Sequence, residues 1–118
     1  MNLHMNSEQF VDIIKNSVLR TSVDDTLENL ADPPGRKVSA EILARSNWFK
    51  SLDKDQVNFL KSALHDSAHG AIFGLFAILD GSRNVDDGRF ELAHVGDSKT
   101  VLNEPQNIGL NELLNAAD

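Results

Sequence analysis

Two histidines stand four residues apart in the run His65-Asp66-Ser67-Ala68-His69. On a helix that spacing puts both imidazoles on one face, where they can supply two nitrogen ligands to zinc. In the metalloprotease helix the residue after the first histidine is a glutamate base. Here it is Asp66, one methylene shorter. A third ligand has to come from elsewhere, and His94, Asp80, Asp86 and Asp87 are the candidates. The competing reading places His65 and His69 where an exposed half of a helix meets a buried half, a boundary that suits a half-buried, hydrogen-bonded ring. We adopt the boundary reading, assign no metal ligand and expect no cofactor. Ser67 lacks a Gly-x-Ser-x-Gly elbow, and Ser98 beside Asp97 reads as a turn serine. Asp86-Asp87 lacks EF-hand spacing, and no glycine-rich phosphate loop occurs. No catalytic residue is assigned, and the chain is expected not to be an enzyme.

The helix that would carry the histidine pair organises the chain. Asp53 can cap it, with Gln56 at the third helical position to complete a capping box. Val57, Leu60, Leu64, Ala68, Ala71, Leu75 and Leu79 then recur every three or four residues as one apolar stripe. From Ala71 to Leu79 the sequence is apolar on nearly every side, which predicts a buried central helix over about 54–79. Gly70 and Gly74 suggest close packing against a neighbour. The apolar run is too short to cross a bilayer.

Ahead of this helix, Asn6 or Ser7 can cap a first helix over about 7–20, with Phe10, Ile13, Ile14 and Val18 facing inward. Ser22 and Asp25 make a second capping box for a short helix that must end by Asp32, because Pro33-Pro34-Gly35 follows. Ser39 can cap a third helix whose inner face carries Ile42 and Leu43. Trp48 and Phe49 at its end read as core packing at a helix junction.

After Leu79 the period changes. Asp80-Gly81 signals a turn, and Asp87-Gly88 signals a tight hairpin that would set Val85 opposite Phe90. Gly96-Asp97-Ser98 makes a second turn, with Thr100 to Asn103 returning as a third strand. Leu110, Leu113 and Leu114 predict a short last helix capped by Asn107 or Asn111. The expected fold is α+β, a helical layer around the long central helix packed with a small C-terminal three-stranded antiparallel meander, all in a single domain over 1–118.

Charge and composition bound the function. The 118 residues are 41% hydrophobic, contain no cysteine and carry a net charge of -7. Disulfides and thiolate chemistry are excluded, no opening segment pairs bases with an apolar run, and a cytoplasmic protein is expected. The charge argues against direct nucleic-acid binding. It is unevenly spread: residues 35–54 hold five bases and two acids, whereas residues 80–118 hold three bases and eight acids. These features predict a small acidic protein-binding module, an inhibitor or immunity-type protein that neutralises a basic partner enzyme. Asp86, Asp87, Glu91 and Asp97 are the expected partner-binding residues, because a hairpin tip and its next turn project from a core. The alternatives are a small metal-dependent hydrolase using His65 and His69, or a structural homo-oligomeric subunit.

Overall fold

A computed structural model describes residues 5–83 and 86–116. The chain forms two compact units, a helical unit of Leu19–His69 and a mixed unit of Met1–Val18 with Gly70–Asp118. In chain order the elements are α1 (Ser7–Ile14), a π-helical stretch (Lys15–Leu19), α2 (Arg20–Ala31), α3 (Ala40–Lys50), α4 (Lys54–Asp80), β1 (Ala93–Val95), β2 (Lys99–Val101) and α5 (Leu110–Asn115).

Local chemistry sets most of the boundaries. The Asn6 side chain accepts from Gln9 N at 2.7 Å while Gln9 Oε1 accepts from Asn6 N at 3.1 Å, a complete capping box. Asp53 and Gln56 repeat the arrangement at 2.9 Å in both directions, which starts α4 where its sequence predicts. Ser39 Oγ accepts from Ile42 N at the start of α3. The expected break between the first two helices is absent. The π-helical stretch carries the chain from α1 into α2, so Ser22 caps nothing, and its carbonyl instead accepts the Thr26 hydroxyl one turn on. The end of α2 at Ala31, just ahead of Pro33, follows from the missing proline N–H.

The C-terminal end of α4 is a Schellman motif. Gly81 adopts φ +79°, Gly81 N donates to Ile78 O at 3.2 Å, and Ser82 N donates to Ala77 O at 3.0 Å. Ser82 and Arg83 are thereby drawn into the helix cap and are unavailable for a strand.

The three-stranded meander is corrected to a two-stranded antiparallel sheet, β1 with β2, in the register Ala93↔Val101, His94↔Thr100 and Val95↔Lys99. The Gly96-Asp97-Ser98 turn connects these two strands as its sequence predicts. The Asp87-Gly88 hairpin does not form. A two-residue hairpin turn of the Asp-Gly type needs positive φ at both central residues, and neither has it. Instead Asp86 Oδ1 accepts from Gly88 N at 2.8 Å, a local side-chain turn that closes without a paired strand. The pairing of Val85 with Phe90 falls outside the described residues.

In the mixed unit the core is Val11 from α1, Phe76 from α4, and Leu110 and Leu114 from α5, all buried. Phe10 lies against Phe76 with ring centroids 6.2 Å apart. Burying a phenylalanine side chain of this kind contributes ~1.5–3 kcal/mol. The expected burial of α4 on all sides is not found: Phe76 is 2% exposed, but its neighbour Leu75 is 55% exposed. The added Cβ of an alanine at Gly70 would meet nothing within 4 Å, so close packing does not explain that glycine.

Two polar side chains tie this unit together. Asn103 is buried and uses its whole amide: Oδ1 accepts from Leu92 N at 2.8 Å, and Nδ2 donates to Phe90 O at 2.8 Å and Leu79 O at 2.6 Å. Asp80 caps α5, with Oδ1 accepting from Leu110 N and Oδ2 from Asn111 N, both at 3.0 Å. Thus neither Asn107 nor Asn111 supplies the cap. A carboxylate thirty residues away satisfies the first free donors of that helix.

In the helical unit α2 packs against α3. Leu19, Val23 and Leu30 are its buried apolar residues, and Ser46 is buried with its hydroxyl lacking a hydrogen-bond partner.

Candidate interaction site

The histidine pair lies on one face of α4, with ring centroids 6.3 Å apart and planes 20° from parallel. His65 is exposed, its Nδ1 lies 4.0 Å from Asp66 Oδ1, and His69 is half-buried. Among the described residues no three His, Cys, Asp or Glu side chains come together to hold a metal. Among the candidate third ligands, Asp87 is exposed in the loop ahead of β1. Asp80 is committed to the α5 cap. Asp86 accepts from Gly88. His94 sits on β1 with a buried Nδ1 that has no hydrogen-bond partner.

The four acids expected to meet a partner belong to the mixed unit and are all exposed. They are not equivalent. Glu91 is held by Arg89 at 3.3 Å and by Lys99 at 3.8 Å, so its charge is locally compensated. Asp97 projects from the β1–β2 turn, and Asp86 and Asp87 from the preceding loop, without an ion pair to any described residue. By sequence the mixed unit holds ten acids against four bases, and the helical unit eight against seven. The acidic excess is therefore a property of one unit.

The helical unit offers a different surface, built in part from residues whose sequence pattern reads as core. Trp48 is 50% exposed and Phe59 is 74% exposed. Ile42 and Leu43, expected to face inward, are exposed as well. Trp48 is held at the α3–α4 corner, where its carbonyl accepts both the backbone N–H and the hydroxyl of Ser51. On α4, Gln56, Phe59, Leu60 and Leu64 follow helical spacing along adjacent faces. Two shallow hollows result. One is lined by Leu30, Arg45, Trp48, Leu60 and Leu64 with Thr26 and Asn29, and the other by Trp48, Leu52, Gln56, Phe59 and Leu60. Trp48 and Leu60 line both, so the two hollows adjoin and together make the groove of this unit. A readable sign existed in the sequence. Phe59 shares its helix face with Asp55, Ser62 and Asp66, so an aromatic ring there sits on the polar side.

Among the described residues no helix is long and apolar enough to cross a membrane. Comparison with known proteins gives no match to a family model, a curated protein or a solved structure.

Proposed function

We propose that this protein works by association, as a small acidic module that covers a basic partner enzyme in the manner of an inhibitor or immunity protein. The observation that carries the reading is the concentration of charge: ten acids against four bases in the mixed unit, within a chain of net charge -7. A field of this sign speeds encounter with a positively charged surface and slows encounter with an acidic one, whichever face finally docks. Asp86, Asp87 and Asp97 are the leading contact residues, because they are exposed and carry uncompensated charge. Glu91 ranks below them, since a partner would have to compete with Arg89 and Lys99 for it. Exposed aromatic residues add support, because tryptophan and phenylalanine are enriched where proteins meet.

The test begins with capture of the partner by the tagged full-length chain in the source organism, followed by kinetics on the purified pair. Association should slow as salt rises while dissociation changes less. Neutralising Asp86, Asp87 and Asp97 together to asparagine should slow association on the order of tenfold. Association indifferent to salt and to the triple substitution would overturn the electrostatic reading. Recovery of no specific protein, with the chain found only as its own oligomer, would overturn the hetero-partner reading.

A further inference from the structure

We infer that the groove of the helical unit receives an amphipathic helix from a partner protein, and that this helix carries a carboxylate placed against Arg45. This goes beyond the charge-steered association proposed above and does not rest on it.

The walls of the groove decide the conformation of the occupant. They are α2, α3 and α4, whose backbone donors and acceptors are largely consumed within the helices themselves, with Leu52 from the α3–α4 connection, whose N–H donates to Phe49 O. The polar groups lining the groove are the side chains of Thr26, Asn29, Arg45 and Gln56. An extended segment laid here would bury backbone N–H and C=O groups with no sheet edge to pair them. A helix satisfies its own backbone and presents only side chains, the mode of helix-in-groove recognition. Along α4 the groove runs from Gln56 to Leu64, ~12 Å at ~1.5 Å per residue, which matches about two turns of a docked helix. Apolar residues on such a helix at i, i+3, i+4 and i+7 would cover Trp48, Phe59 and Leu60.

The charge of the occupant follows from the lining. Arg45 is the one charged residue among the side chains that line the two hollows, and it has no ion pair with a described residue. Covering a guanidinium with apolar surface is unfavourable unless a counter-charge arrives with it. A carboxylate supplies that charge and can accept two parallel hydrogen bonds from the guanidinium fork. Arg45 alone sets this bias, since the helical unit as a whole is near charge balance, with eight acids against seven bases. At Arg45 the preferred counter-charge is thus opposite in sign to that drawn by the mixed unit.

The probe is a displayed library of helical peptides with randomised faces, selected on the full-length chain. Winning peptides are then titrated while following Trp48, the only tryptophan in the chain. The expected winners combine the apolar spacing with at least one Asp or Glu, and their binding shifts Trp48 emission to the blue. Phe59→Ala should weaken binding at least tenfold, and Arg45→Glu should reverse the preference toward peptides carrying Lys in place of the acid. Both positions are exposed, and unchanged circular dichroism of each variant establishes that it folds. Enriched peptides that lack acids, or that bind Phe59→Ala and Arg45→Glu as well as the parent, overturn the inference. So does the absence of any enrichment. Trp48 emission that shifts with protein concentration alone, with sedimentation showing a dimer, identifies a second copy as the occupant and overturns it too.

Discussion

Two phenylalanines on α4 have opposite fates. Phe76, in the mixed unit, is enclosed with Val11, Leu110 and Leu114. Phe59, in the helical unit, stands largely in solvent beside a half-exposed Trp48. The units also divide their charge, with the acidic excess in the mixed unit and near balance in the helical one. The mixed unit is closed by its core and by two polar ties, Asn103 and Asp80. The helical unit has no comparable closure, and its one strongly buried position on α3 is a serine. The mixed unit also exposes Phe90, Val95 and Ile108, but the helical unit is where two exposed aromatic rings, Trp48 and Phe59, line one hollow over a sparse core. The acidic unit acts at longer range.

The sharpest way to break this contrast is to compare neighbours. Phe76→Ala should lower stability by about 3–5 kcal/mol in denaturant unfolding, through lost burial and a residual cavity. Leu75→Ala, one residue away but exposed, should fall within about 0.5 kcal/mol of the parent. Equal losses would place Leu75 in the core and return α4 to an all-round buried helix.

Asn103→Ala should follow with a loss of roughly 2–4 kcal/mol, because it strands the backbone groups of Leu79, Phe90 and Leu92 that the amide now satisfies. A loss below about 1 kcal/mol would show that water replaces the amide and that the tie is dispensable.

Gly81→Ala should cost about 1–2 kcal/mol, because its φ of +79° is unfavourable for a residue with a Cβ. Gly88→Ala carries no such penalty and should cost under about 0.5 kcal/mol. The reverse order would restore the Asp87-Gly88 hairpin.

One substitution should act in the opposite direction. Ser46→Ala should raise stability by about 0.5–1 kcal/mol, since it removes a buried hydroxyl that has no partner and improves helix propensity. A net loss would mean that the hydroxyl is satisfied in solution.

The legible parts of the fold were those written in local chemistry. Asp53 with Gln56, Asn6 as one of two cap candidates, Ser39, Asp80-Gly81 and the Gly96-Asp97-Ser98 turn each act within a few residues, and their signals survive folding. Three features were not legible. From Ala71 to Leu79 the chain is apolar all round, so periodicity could not select the face that holds Phe76 over the one that holds Leu75. The role of Asp80 as cap for α5 depends on a partner thirty residues away, and no local pattern announces it. Asp87-Gly88 carried a strong turn signal, but Ser82 and Arg83 were already engaged by the end of α4 and could not pair. For the candidate site, the acidic residues could be counted from sequence, whereas the compensation of Glu91 by Arg89 and Lys99 could not. Trp48 was misassigned because an aromatic pair at a helix junction reads as core by composition alone.

That the helical unit holds Trp48 and Phe59 open to solvent, where the mixed unit encloses Phe76, is read out by Trp48 itself. As the only tryptophan it reports without labelling. Steady-state emission and acrylamide quenching of the native protein, measured across a concentration series, are the decisive experiment. An indole that is 50% exposed should show red-shifted emission and efficient quenching at every concentration. Blue-shifted emission that resists acrylamide even in dilute solution would contradict it, because Trp48 would then lie inside a core.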